Sequence, residues 1–250
     1  MSHHTIDLTN VHYNYPDDTL ALSGLALHIG HGESVAIVGA NGSGKTTLLS
    51  LLSGLLFPTE GNVNIGGYPV TPRTLTHIRQ TVGLVFQNPD DQLFMPTVYE
   101  DVAFGPVNMG LPDDDVEKRV AAALKTVDAL ALKNRPPYRL SGGQKRAVAI
   151  ATVLAMEPAI LVMDEPTAAL DPYARRQLIK LLKTFAHTKI IATHDMDMVL
   201  DVCERTIVLS EGKVLADGLT VEIFNDDQLL AASQLEKPFR LQGCPVCCGI

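Results

Sequence analysis

The chain has 250 residues, 46% hydrophobic and 19% charged, with a formal net charge of −8. That is room for one large globular domain carrying an inserted lobe, and the acidic balance disfavours a nucleic-acid partner, whose phosphates need basic patches. The longest mostly apolar run, Ala147 to Met156, is too short to cross a bilayer, and Met1 to Ile6 lacks the apolar stretch of a secretory leader, so a soluble protein is expected, with any membrane role supplied by partners.

Taken in chain order, Ile6 to Tyr15, Leu25 to Ile29 and Gly61 to Ile65 read as short strands of a separate antiparallel sheet. Ser34 to Gly39, Val82 to Phe86, Ala159 to Met163, Lys189 to Thr193 and Thr206 to Leu209 read differently. They are β-branched and nearly continuous, the pattern of strands buried on both faces. Helical patterns such as Lys45 to Leu52 and Tyr173 to Phe185 lie between them, which predicts α/β layering. No long strand falls between Gln87 and Met156. Val116, Val120, Leu124 and Val127 recur at helical spacing within Asp113 to Leu130, and a second helix is expected from Gly142 to Met156. Residues 88–156 therefore read as an inserted helical lobe. The main domain is placed at residues 1–225 and a tail at 226–250.

The run Gly39-Ala40-Asn41-Gly42-Ser43-Gly44-Lys45-Thr46 fits G-x-x-x-x-G-K-[ST], with a strand before it and a helix after it. Glycines let the backbone wrap so that successive N–H groups face phosphate oxygens, and the following helix adds its positive end. Lys45 is expected to reach the β and γ phosphates of ATP, and Thr46 to offer its hydroxyl to Mg²⁺. Thr47 follows in the same first turn and belongs to the candidate nucleotide set. The strand Ile160 to Met163 runs into Asp164, a candidate Mg²⁺ partner, and then Glu165. Adjacent residues leaving a strand diverge, so Glu165 is free to orient or deprotonate the attacking water. His194 follows another buried strand, Lys189 to Thr193, and could contact the γ phosphate or that water. Leu140-Ser141-Gly142-Gly143-Gln144 precedes a helix that Ser141 can cap, leaving further free N–H groups for an anion.

These motifs, in this order, resemble the nucleotide-binding subunits of ATP-binding cassette (ABC) transporters over nearly all of residues 6 to 225. The resemblance implies a P-loop NTPase core of ABC type, with an antiparallel N-terminal β subdomain and an inserted helical lobe. It implies that Gln87 is the Q-loop glutamine, a contributor to catalysis and to Mg²⁺, and that Ser141, Gly142, Gly143 and Gln144 are the signature. Ala168-Ala169-Leu170-Asp171 resembles the D-loop, with Ala where many members have Ser, and brings Asp171 into the nucleotide set. Tyr15 resembles the aromatic that stacks on adenine, with Tyr13 as its rival. A head-to-tail dimer is implied, homodimer or heterodimer with a similar ATPase. Each ATP would lie between one subunit's Lys45 and the other's Ser141.

Gln87-Asn88-Pro89-Asp90-Asp91-Gln92-Leu93-Phe94, then Asp101 to Pro106 and Asn108 to Leu111, look most similar to ATPases of energy-coupling-factor importers of the cobalt or nickel subgroup. Vitamin import is the alternative, and a non-transport ATPase of the same superfamily a more distant one. The implied partners are a transmembrane coupling protein and a substrate-binding membrane protein, which would hold the chain at the cytoplasmic face of the cell membrane. Phe94, Met95 and Phe104 are candidates for that contact.

Of four cysteines, Cys203 stands alone and Cys244, Cys247 and Cys248 crowd the end. This is no disulfide framework and fits a reducing compartment. The Cys244–Cys247 spacing is open to thiolate metal binding, to redox pairing or to no role.

Overall fold

The computed structural model describes residues 4–242, so Cys244, Cys247 and Cys248 lie outside the described residues. The chain begins with β1 (Ile6–Asn14), β2 (Leu20–Ile29) and β3 (Ser34–Val38), followed by α1 (Lys45–Leu52). Next come β4 (Glu60–Ile65), β5 (Tyr68–Pro69), α2 (Leu75–Thr81) and β6 (Val82–Val85). Three helices follow without an intervening strand: α3 (Val98–Asn108), α4 (Asp113–Thr126) and α5 (Gly142–Leu154). The chain then alternates β7 (Ile160–Asp164), α6 (Pro172–Thr184), β8 (Thr188–Ala192) and α7 (Met196–Val202). It closes with β9 (Arg205–Ser210), β10 (Lys213–Leu219), α8 (Thr220–Asn225) and α9 (Asp227–Ala232).

The strands form two sheets. One is antiparallel, in the order β2-β1-β4-β5. The other runs β10-β9-β3-β8-β7-β6 and is parallel except for the β10 edge. Its central strands are buried on both sides. Val35, Ile37, Val162 and Ile190 pack with α1 and the antiparallel sheet. Ala36, Val38, Leu161 and Ile191 face α6, α7 and Phe224. That double burial is why these strands read as continuous apolar runs. β10 alternates exposed and half-buried residues instead, so the same signal does not reveal it.

The helical lobe has its own core. Val98, Val102, Val116, Val120, Leu124 and Val148 cluster there, away from the sheet residues. The helix expected over 113–130 stops at Thr126, because Asp128 takes a left-handed backbone (φ 54°) and turns the chain. Past residue 225, Asp226 caps α9 by accepting from the Leu229 N–H at 2.9 Å. This sets Leu230 and Leu235 into the core of the parallel sheet, 3% and 8% exposed. Leu230→Ala should therefore cost about 2–5 kcal/mol in urea unfolding. A loss under about 0.5 kcal/mol, the usual surface value, would show that the segment contributes nothing to the domain.

Candidate nucleotide site

The loop 39–46 leaves the end of β3 and enters α1. Gly39 admits no side chain, since a Cβ there would meet the Leu209 carbonyl at 2.2 Å. Gly44, at φ 102°, would drive one into the Ala21 carbonyl at 2.7 Å. The loop is thus wedged against β2 and β9 and held in shape by backbone packing. Unlike α5, α6 and α7, α1 has no side-chain cap. Its first N–H groups remain available to an anion. Beside them, the Ser43 hydroxyl is buried without a hydrogen-bond partner. Asn41 and Gly42 form the exposed tip.

Lys45 is 8% exposed and folds back on its own loop, its Nζ donating to the Gly39 carbonyl at 2.7 Å and the Ala40 carbonyl at 3.0 Å. Burial pushes its ammonium pKa down, against the charges of Glu165 and Asp164, which hold it up. The Thr46 hydroxyl donates to Asp164 Oδ2 at 2.8 Å. Burial pushes the Asp164 carboxyl above the usual range, while the Thr46 bond, Lys45 and Arg146 pull it back.

Glu165 takes a left-handed backbone, φ 46°, which turns it away from Asp164. Its Oε2 accepts from the Thr193 hydroxyl at 3.1 Å and from the His194 N–H at 3.3 Å. Its Oε1 lies 3.5 Å from His194 Nε2. The two carboxylates therefore have different partners, Thr46 for Asp164 and Thr193 with His194 for Glu165. Tyr13 and Tyr15 meet edge to face at 5.0 Å, but they are not equivalent. Tyr13 is buried in the core, whereas Tyr15 is half-buried at the end of β1 and bonds Thr47 Oγ1 at 2.9 Å.

The signature residues lie elsewhere. Ser141 and Gln144 form a capping box on α5: Ser141 Oγ accepts from the Gln144 N–H at 3.3 Å, and Gln144 Oε1 accepts from the Ser141 N–H at 3.0 Å. With Gly143, Leu170, Asp171 and Tyr173 they line a cleft of about 750 Å³ between the helical lobe and α6. No residue of the phosphate loop lines it. The Asp171 carboxylate caps α6, accepting from the Tyr173 N–H at 2.8 Å and the Ala174 N–H at 2.9 Å.

The Gln87 side chain is exposed and makes none of the hydrogen bonds found among the described residues. Its backbone is pinned instead. Buried Arg146 on α5 donates to the carbonyls of Phe86, at 2.6 Å, and Gln87. Gln92 adds bonds from its Nε2 to the Ala149 carbonyl at 2.8 Å and Thr152 Oγ1 at 2.7 Å. Lys145 pairs Asp90 at 2.5 Å. Neither Arg146 nor Gln92 stands out in the sequence as an anchor. Only packing shows that α5 and the segment after β6 lie side by side.

A phosphate loop set against two strand-end carboxylates, at the carboxyl edge of a parallel sheet, defines a P-loop nucleoside-triphosphate hydrolase. The profile of the ABC transporter family matches residues 22–168. A Geobacter sulfurreducens protein named as an ABC transporter ATP-binding protein is 62% identical over 247 residues, 99% of each chain. The energy-coupling factor transporter ATP-binding protein EcfA of Methanocaldococcus jannaschii is 46% identical over 93% of this chain and 85% of its own. Among solved structures, cbiO1 of Clostridium perfringens, part of the ABC transporter complex cbiONQ, superposes with TM-score 0.79 at 43% identity, covering 91% of this chain and 93% of that one. The cassette MJ0796, solved as a dimer in a post-hydrolysis state with ADP and Pi, gives 0.77 at 33% identity over 86% and 98%. The chain belongs to the ABC transporter family. It is an ATP-binding ATP hydrolase.

Proposed function

We propose that this ATPase powers an importer of the energy-coupling-factor type, working in pairs at the cytoplasmic face of a membrane through separate membrane proteins. The observation that carries the pairing is the split site. Lys45, Thr46, Asp164, Glu165 and His194 gather at one sheet edge, while the capped signature turn opens onto a different cleft of the same chain. A nucleotide held by one subunit's loop is completed by the signature turn of a second, identical or similar, subunit. Closure then depends on the γ phosphate, and its loss lets the pair open.

In this reading the loop N–H groups, Ser43, Lys45 and Thr47 hold the phosphates, and Tyr15 lies against adenine. Lys45 exchanges its two loop carbonyls for phosphate oxygens. Glu165 orients the attacking water, with His194 beside it. The adjacent Thr46 and Asp164 oxygens, 2.8 Å apart, fit a hard cation such as Mg²⁺. Two protein oxygens are fewer than its coordination requires, leaving room for phosphate, water and Gln87. Bound there, the ion would neutralise developing charge on the phosphates.

The membrane partner is assigned to the outer face of the helical lobe. Phe94 and Phe104 stack edge to face at 5.1 Å while remaining 64% and 44% exposed. Val107, 58% exposed, extends the patch. Buried Asp101 holds the loop up, accepting from the Phe94 and Met95 N–H groups at 3.0 Å each. Such an aromatic patch suits an inserted apolar segment of a membrane protein. The Phe94→Ser, Phe104→Ser double variant should keep ATP affinity within about threefold, yet lose about 2 kcal/mol or more of partner binding, roughly 30-fold in Kd. Pull-down from membranes beside ATP titration reads both. Normal assembly with lost ATP binding would misplace the patch.

The cargo is proposed to be cobalt or nickel, from the resemblance carried by the run between Gln87 and Leu111. Uptake of labelled Co²⁺ and Ni²⁺ by cells with and without the ATPase tests it. Unchanged metal uptake with lost vitamin uptake would transfer the assignment to vitamins.

A further inference from the structure

Thr193 follows β8 and is wholly buried. Its one hydroxyl proton goes to Glu165 Oε2 at 3.1 Å, and its lone pairs receive the Asp195 N–H at 3.0 Å. Asp195 in turn takes a fork of two bonds from Arg175, Nε to Oδ2 at 2.6 Å and Nη2 to Oδ1 at 2.7 Å. Such bidentate pairs fix direction as well as distance. The Asp195 Oδ1 also caps α7, accepting from the Met198 N–H at 2.9 Å. Arg175 sits in the first turn of α6, the turn that Asp171 caps. A continuous chain of bonds therefore runs from the start of α6 to the carboxylate of Glu165. One Glu165 oxygen is held by this chain. The other, Oε1, is buried without a hydrogen bond. Holding the first sets the direction of the second.

We propose that Arg175 and Thr193 are positioning residues for hydrolysis, tying the orientation of Glu165 to the placement of the first turn of α6. The inference rests on the reading of Glu165 as the group that orients water. The turn continues the segment Ala168 to Asp171, whose Leu170 and Asp171 line the cleft shared with the signature residues. That is the face assigned to the second subunit. Ala169 there is left-handed, φ 59°, so the segment has a defined shape to transmit. Arrival of the partner against this segment is passed through Arg175, Asp195 and Thr193 to the carboxylate, and hydrolysis becomes contingent on pairing.

The test is steady-state ATPase on Arg175→Met, Thr193→Val and their combination. Each single variant should lower kcat roughly 10- to 100-fold, the scale of a small misplacement of a reacting group. KM for ATP should stay within about twofold, because neither side chain belongs to the phosphate loop. The double variant should be no slower than the worse single one by more than about twofold, since both cut one chain. Arg175→Lys and Thr193→Ser should recover part of the rate, and they carry the test if the larger changes prevent folding. Wild-type kcat in both single variants, or losses that simply multiply, would overturn the relay. Glu165→Gln measured alongside separates two failures. Normal turnover there removes the water-orienting role itself. Loss there, beside unimpaired Arg175→Met and Thr193→Val, removes the relay alone.

Discussion

Glu165→Gln is expected to keep ATP affinity near wild type while lowering turnover by about 100-fold or more, the range over which a positioned general base acts. The amide keeps the shape of the side chain, and its oxygen can still accept from Thr193 and His194, as Glu165 Oε2 does at 3.1 Å and 3.3 Å. What it loses is the charge on the second oxygen, the atom left without a hydrogen bond. The amide cannot take a proton from water or hold it as strongly. With ATP and Mg²⁺ bound and not consumed, the phosphate bridge between subunits persists, and a dimer should accumulate. Sedimentation with and without ATP reads this directly. A variant that remains monomeric at saturating ATP contradicts the paired site, and one with undiminished turnover contradicts the role of Glu165.

Lys45→Ala is the second large effect and acts on binding. The lysine is buried and feels the charges of Asp164 and Glu165, so in the proposed site its ammonium would help phosphates approach two carboxylates. Without it, buried Arg146, whose guanidinium is committed to the Phe86 and Gln87 carbonyls, is the main charge left to offset that negative pair. Removing one member of a buried charge pair costs about 2–5 kcal/mol, or roughly 30- to 5000-fold in Kd for ATP. Calorimetric titration with a non-hydrolysable analogue measures it, with exposed Lys213→Ala as the control for net charge. An affinity within about threefold of wild type would mean that the loop N–H groups hold the phosphates alone. Melting temperature without nucleotide should change little. In the proposed binding step, Lys45 leaves the two carbonyls it now occupies, on Gly39 and Ala40, for phosphate oxygens.

The two variants should fail in different ways because the site is assembled from two kinds of segment, and the sequence discloses them unequally. The loop 39–46 is contiguous. Its glycines act through their backbone, and Lys45 and Thr46 through side chains in the same short run, so the phosphate cradle can be read residue by residue. The carboxylates Asp164 and Glu165 are also local, adjacent at the end of a continuous apolar run. Alternation of buried strands with helices likewise follows from residue order, since strands covered on both faces must be apolar throughout. The bonding partners of each group are not local. Thr46 meets Asp164 across 118 positions and Tyr15 meets Thr47 across 32, and no periodicity encodes such contacts. The choice between Tyr13 and Tyr15 is likewise tertiary, because Tyr13 lies within β1 and is buried in the core, whereas Tyr15 follows the strand and stays half-buried.

Arg146 shows the same division. In the sequence it is one more basic residue after a helix cap. In the folded chain it is 3% exposed and grips the carbonyls where the sheet gives way to the helical lobe. Arg175 and Asp195 form an ion pair across 20 positions, joining two helix starts that sequence reading treats separately. The sequence by itself determined the fold class, the phosphate loop and the carboxylate pair, because each rests on contiguous residues whose local conformation creates the feature. The tertiary structure decided which oxygen of Glu165 is held, which tyrosine stays accessible, and that the signature turn faces a cleft apart from the phosphate loop. Those outcomes depend on how strands and helices distant in the chain are packed against one another, and burial and hydrogen bonding act on that arrangement.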